Sequence, residues 1–170
     1  MATQSADRLL LVVDVQNDFC SDGALPVHRG EQVVPVINAL SGRFHRVVGT
    51  QDWHPAGHAS FASSHPGRKP FETIRLGDVE QTLWPDHCVA GSPGADFHPE
   101  LETRKFGLVL RKGSSADLDS YSAFFENDRR TPTGLAGYLA SLDVRHLYLA
   151  GLATDYCVYY SAADALRLGL

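Results

Sequence analysis

Leu9-Leu10-Leu11-Val12-Val13 is an unbroken apolar run rich in branched side chains, and it stops at Asp14. A strand with one wet face alternates apolar and polar residues, whereas a continuous run reads as a strand buried on both faces of a parallel sheet. Residues 46–50, 107–110 and 146–150 read as further strands. Between them, residues 31–40 place Val33, Val36, Ile37 and Leu40 at helical spacing, with Pro35 near the first turn where a missing N–H is tolerated. Residues 133–142 put Leu135, Leu139 and Leu142 on one helical face. A last helix around Cys157 is expected to pack through Val158, Ala162, Ala165 and Leu166. Strands alternating with helices predict parallel pairing through right-handed crossovers, hence an α/β three-layer sandwich around a mostly parallel central sheet.

The chain has 170 residues, enough for one domain with its own core, and 44% hydrophobic with 21% charged residues places it among ordinary globular proteins. A formal charge of −5 argues against nucleic acid or an anionic membrane as partner, since both need a basic face. A small ligand suits it better. Three widely spaced cysteines form neither a disulfide framework nor a zinc knuckle. No signal peptide or membrane-spanning run is present in the sequence, which leads to the expectation of a cytoplasmic protein. Residues 55–99 lack periodicity but hold both tryptophan 84 and several histidines, and they read as an active-site wall.

Ligands of open parallel sheets bind outside the carboxyl ends of the strands. Asp14, Asp52, Lys112 and Cys157 each follow a different predicted strand, so one crevice could gather all four. Each alone has a bland reading: cysteines are mostly core residues, Asp14 could be a turn residue, and lysines are mostly solvated. Together they make chemical sense. A carboxylate can take a thiol proton and return it to a leaving amine, while a lysine stabilises the thiolate and orients the carboxylate. At a helix start, Cys157 is also expected to feel a dipole that favours its thiolate. Asp52-Trp53-His54 puts a carboxylate and an imidazole on one side of an extended segment. With a third ligand from His87 or from His58, that set suits Zn²⁺, Fe²⁺ or Mn²⁺.

Several stretches, in order, are similar to the nicotinamidase/pyrazinamidase branch of the isochorismatase-like cysteine hydrolases: Val13-Asp14-Val15-Gln16-Asn17-Asp18-Phe19-Cys20, Thr50-Gln51-Asp52-Trp53-His54-Pro55, Trp84-Pro85-Asp86-His87-Cys88-Val89, Gly94-Ala95-Asp96-Phe97-His98-Pro99, Arg111-Lys112-Gly113, and Gly151-Leu152-Ala153-Thr154-Asp155-Tyr156-Cys157-Val158. The resemblance covers almost the whole chain and implies metal-dependent hydrolysis of nicotinamide, and of pyrazinamide, through a thioester. It implies a triad of Asp14, Lys112 and Cys157, and one divalent metal ion, zinc before iron or manganese, on Asp52, His54 and His87, with His58 as an additional ligand in some members. It implies that Phe19 and Trp84 sandwich the substrate ring. A non-proline cis peptide before Ala153 and an oxyanion hole from the N–H groups of Ala153 and Cys157 are implied as well. Cys20, Cys88 and the remaining histidines are expected to be structural or solvated.

Relatives of this kind continue past the last helix with another strand and a closing helix, so the chain is expected to lack those elements and to expose a sheet edge and apolar surface. The loop 114–121 is longer than in short bacterial relatives and is expected to cap the pocket or to lie at a subunit contact, homo-oligomers being one assembly open to it. Two rivals remain: an amidase of the same superfamily acting on another small amide, which the metal motif disfavours, and a pyridine- or metal-binding module without turnover.

Overall fold

A computed structural model describes residues 6–170. Its centre is β1 (Arg8–Val13), whose six residues are all buried after the first. Then follow α1 (Val33–Ser41), β2 (Arg46–Asp52), a hairpin of β3 (Thr73–Leu76) and β4 (Val79–Thr82), β5 (Phe106–Lys112), α2 (Leu135–Ser141), β6 (His146–Gly151) and α3 (Cys157–Arg167). β5, β2, β1 and β6 lie side by side in that order, all parallel. Side chains alternate across a strand, so β1 serves two layers at once. Leu9, Leu11 and Val13 pack against Leu135 and Leu139 of α2 and Ala165 of α3, while Leu10 and Val12 pack against Val34 and Ile37 of α1. This is the three-layer sandwich expected from the unbroken apolar run.

Two expected packing faces are corrected. On α1 the buried residues are Val34, Ile37 and Ser41, and Val36 is 57% exposed. On α3 the buried face runs through Cys157, Ser161, Asp164 and Ala165, and Leu166 is 75% exposed. The physical reason on α3 is polar. Ser161 faces inward because its hydroxyl oxygen accepts the buried Ala123 N–H at 2.8 Å, a pairing that apolar periodicity does not register.

Within residues 55–99, expected to lack regular structure, lies a hairpin whose signal is present in the sequence: Thr73-Ile74-Arg75-Leu76 and Val79-Glu80-Gln81-Thr82 flank a two-residue Gly77-Asp78 turn. Among the described residues no helix is long and apolar enough to cross a membrane.

Chain order makes β1 the place where the topology reverses, since β2 and β6 flank it on opposite sides. The crevice at its carboxyl end is where ligands settle in open α/β sheets. Gly151 ends β6 beside that crevice at φ +145°, where an added Cβ would lie 2.0 Å from the Val13 carbonyl oxygen. Only a residue without a side chain lets the two strand ends come this close.

Candidate active site

Asp52 and Lys112 are register partners across β2 and β5, and Asp14 immediately follows β1. The sheet therefore delivers three charges to one point without any loop having to fold over. Lys112 Nζ lies 2.8 Å from Asp14 Oδ2 and 2.5 Å from Asp52 Oδ1. It also donates to the Ser120 carbonyl at 2.8 Å and reaches Cys157 Sγ at 3.4 Å. Lys112 and Asp14 are both completely buried, so the ammonium is held wholly by these partners. A lone charge there would be prohibitive, and the arrangement persists because the ammonium is paired with both carboxylates and with the Ser120 carbonyl.

Thr50 completes the cradle. Its hydroxyl donates to Asp14 Oδ1 at 2.6 Å and accepts the Asp14 N–H at 3.2 Å. Gln16 stitches β1 to β2 beside it: its amide nitrogen donates to the Asp52 and Ala95 carbonyls at 2.8 Å each, and its amide oxygen accepts the Asp52 N–H at 2.8 Å. Neither residue was singled out from sequence. Thr50 could have been, since it lies two residues before Asp52 on the same strand and so faces the same side.

Cys157 opens α3, and its sulfur lies within 4.8 Å of carboxylate oxygens of Asp14 and Asp52. The sequence expectation of a thiol made acidic by the helix start is corrected. Burial pushes the Cys157 thiol well above its usual range, and Asp14 and Asp52 push it further while Lys112 opposes them. The same burial raises the Asp14 carboxyl, again against Lys112. Burial would strip the proton from Lys112, but Asp14 and Asp52 hold its pKa well above normal. Asp52 is buried too, yet Lys112, His54 and His87 overcome that and lower its pKa. The resting geometry thus sets a thiol pushed up by burial beside a carboxyl of raised basicity. Asp14 Oδ2 makes no hydrogen bond besides its ion pair with Lys112, leaving it free for the thiol proton.

Next to this cluster, Asp52, His54 and His87 bring donor atoms within 4.8 Å of one another, all buried. Their second contacts fix the imidazoles. His54 Nδ1 is 2.9 Å from the Gly113 carbonyl and His87 Nδ1 is 2.8 Å from the Pro85 carbonyl, so in each ring Nδ1–H donates and Nε2 keeps a lone pair. Burial lowers the His54 pKa and so favours that neutral form. His54 Nε2 is buried without any hydrogen-bond partner, 3.9 Å from Asp52 Oδ2. An orphaned buried nitrogen facing a carboxylate and a second imidazole fits a divalent cation. His58 stacks on His54 at 4.4 Å and with Asp119 forms a second possible donor group, but its Nδ1 accepts the Ser60 N–H at 3.2 Å and its Nε2 faces the Leu118 carbonyl at 3.4 Å.

The loop bearing His87 is tied down from both sides. His54 N–H donates to Cys88 O, Ala90 N–H donates to His54 O, and the Asp18 carboxylate accepts the Cys88 N–H at 2.7 Å. Cys20 and Cys88 pack with Phe19, Ala95 and Leu152 in a small apolar cluster, in keeping with a structural part.

Phe19, Trp84, Tyr121, Asp119, Ala153 and Cys157 are among the residues around a cavity of about 240 Å³. Phe19 lies 5.6 Å from His87 and Trp84 4.9 Å from Tyr156, ring centre to ring centre. The peptide Leu152–Ala153 is cis. Asp119 and Tyr121 bring the end of the loop 114–121 to the cavity, whereas residues 114–117 are exposed. No local pattern in the sequence marks Asp119, Ser120 or Tyr121 as part of the site.

The isochorismatase domain family model matches residues 8–170. A nicotinamidase of Acinetobacter baylyi is 49% identical over 167 residues, covering 98% of this chain and 78% of that protein. Among solved structures, an Acinetobacter baumanii nicotinamidase and pyrazinamidase superposes with a TM-score of 0.97 at 49% identity, covering 99% of this chain and 81% of that one. A Pyrococcus horikoshii pyrazinamidase in complex with zinc superposes with a TM-score of 0.75 at 34% identity, covering 96% and 80%.

Proposed function

The chain belongs to the isochorismatase family, and on that premise we propose that it is a nicotinamidase, a cysteine amidohydrolase that converts nicotinamide to nicotinate and ammonia in NAD salvage and acts on pyrazinamide in the same way. We read residues 1–170 as one domain of that family. The observation that carries the mechanism is the single buried ammonium of Lys112, in contact with Asp14, Asp52 and Cys157 at once.

Asp14 takes the proton from Cys157, whose sulfur attacks the carboxamide carbon. Lys112 keeps its charge throughout, so it stabilises the thiolate as it forms and holds Asp14 in line. The developing oxyanion sits against the N–H groups of Ala153 and Cys157, and the first N–H groups of a helix have no partner within it. Asp14 then protonates the amine nitrogen, the C–N bond breaks, ammonia leaves, and a thioester remains on Cys157. Water replaces ammonia, gives a proton to Asp14, and attacks the thioester. Collapse of the adduct breaks the C–S bond, the proton on Asp14 returns to sulfur, and the product leaves as the acid, which ionises to nicotinate in solution, so Asp14 ends each cycle as it began. Phe19 and Trp84 bound the substrate ring. Asp52, His54 and His87 would hold a divalent metal ion, for which zinc is our choice, and the ion would supply a Lewis-acid position for the ring nitrogen.

The test is ammonia release from nicotinamide by the protein and by Cys157→Ala. The scheme expects turnover in the first, none above background in the second, and nicotinamide binding retained in both by calorimetry. Turnover by Cys157→Ala at more than a trace would sink it.

A further inference from the structure

The β3–β4 hairpin stands outside the four-stranded sheet, and within its two strands Gln81 is the one residue that is fully buried. A buried glutamine is uncommon, because its amide must find partners for two hydrogens and its oxygen. Here two of the partners, Asp119 and Tyr121, line the catalytic cavity. Gln81 Nε2 lies 2.9 Å from Asp119 Oδ2, 3.1 Å from the Tyr121 hydroxyl and 2.7 Å from the Thr82 carbonyl. The Asn127 amide donates to Gln81 Oε1 at 3.4 Å. The amide cannot be turned over, since its oxygen would then face the Asp119 carboxylate, acceptor against acceptor.

Both partners act on the cavity. Asp119 Oδ1 faces His54 Nε2 at 3.8 Å, and Asp119 is otherwise fixed by the Ser120 N–H at 2.8 Å. The Tyr121 hydroxyl oxygen also accepts Trp84 Nε1–H at 3.1 Å, and that is the only polar atom of the indole.

We propose that Gln81 is a positioning residue for the catalytic cavity, fixing the Asp119 carboxylate opposite His54 and, through the Tyr121 hydroxyl, the plane of the Trp84 indole. The inference rests on the reading of Trp84 as the wall for the substrate ring. Gln81 touches neither Asp14, Lys112 nor Cys157, so its loss acts on ring binding and leaves the chemical steps in place. Replacing it with methionine keeps the length and apolar volume and removes every hydrogen bond.

Gln81→Met is expected to raise KM for nicotinamide roughly three- to tenfold, the worth of one or two hydrogen bonds, with kcat within about twofold of the parent. Tyr121→Phe is expected to do the same, and the double variant to be no worse than the weaker single, because both act through one relay. Fully additive effects, or kcat falling in step with KM, would overturn the proposal. A readout without turnover separates it from the assigned activity. The chain has two tryptophans, so a nitrogen-labelled sample gives two indole signals, and Trp53→Phe, which deletes one of them, identifies the other as that of Trp84. Gln81→Met is expected to move that signal alone. An unmoved Trp84 signal overturns the relay even if nicotinamide is hydrolysed, whereas a moved signal in a protein that releases no ammonia overturns the activity and spares the relay. If Gln81→Met fails to fold, Tyr121→Phe still decides: KM and the Trp84 signal both unchanged would refute it.

Discussion

Replacing Lys112 by methionine removes the one cation from a buried cluster while keeping most of its volume. Asp14 and Asp52 then remain at 0% and 4% exposure with no ammonium between them. Breaking a buried ion pair by removing one partner costs about 3–5 kcal/mol, because the other charge stays buried and uncompensated. Here two carboxylates share the lost partner, which places the variant toward the upper end. For a chain of this size each kcal/mol lowers Tm by about 2–4 °C, so about 4–5 kcal/mol corresponds to a fall of about 8–20 °C at pH 8. The pH dependence has a definite sign. Without Lys112, burial and mutual repulsion raise both folded-state carboxyl pKa values above their unfolded values. Such groups contribute stability that is fully present below the unfolded pKa and lost as pH rises through the folded one. The deficit relative to the parent is therefore small near pH 4 and grows above it. Thermal unfolding by circular dichroism, with chelator present so that metal binding does not contribute, measures it at pH 4.5, 6 and 8, values chosen to span about the ordinary carboxylate range and beyond. Adding Asp14→Asn to Lys112→Met removes one of the stranded charges and is expected to recover part of the loss at pH 8. A Tm drop under about 2 °C, or one that is the same at every pH, would refute the reasoning from a shared buried ammonium.

Three further outcomes follow from the same geometry. Thr50→Val deletes the 2.6 Å hydrogen bond to Asp14 Oδ1, which holds that carboxyl's pKa down, so the acidic limb of the kcat/KM profile on nicotinamide should move to higher pH, with a stability loss of about 1.5–3 kcal/mol; an unmoved limb would separate Asp14 from the rate. Gly113→Ala places a Cβ 2.5 Å from the His54 ring at φ +62°, so purified protein should retain less zinc at a given free concentration, read by metal analysis, and full retention would mean that the Gly113 carbonyl does not set the ring. Zinc added to chelator-treated protein should raise Tm by mass action, by an amount corresponding to about 2.7 kcal/mol at one hundred times Kd, and His54→Ala should abolish the rise; a rise that survives the substitution places the ion elsewhere.

How much was legible beforehand differs between residues for physical reasons. The unbroken run ending at Asp14 reads as a strand buried on both faces, and the neighbouring runs ending near Asp52 and Lys112 place three charges at strand ends. Asp52-Trp53-His54 announced a carboxylate and an imidazole on one side because period two is a property of the extended chain. By contrast, Leu166 seemed a core residue and is 75% exposed, while Ser161 lies inside to satisfy the Ala123 N–H. Hydrophobic periodicity sees side-chain oil and is blind to backbone groups that require a polar partner.

The amino-acid sequence by itself therefore determined the layer architecture, the order of strand and helix, and which residues with reactive chemistry end each strand, since these depend on local pattern and on the parallel topology it enforces. Only the tertiary structure decided the state of those residues. Burial pushes the Cys157 thiol up while Lys112 pulls it down, and that balance depends on Asp14, Asp52 and Lys112 meeting from β1, β2 and β5. Gln81, Asp119 and Tyr121 belong to the cavity through contacts spanning about forty positions in the chain, such as Gln81 to Asp119 at a separation of 38 residues. No local pattern encodes a contact of that length, because it exists only once the chain has closed the loop between its ends.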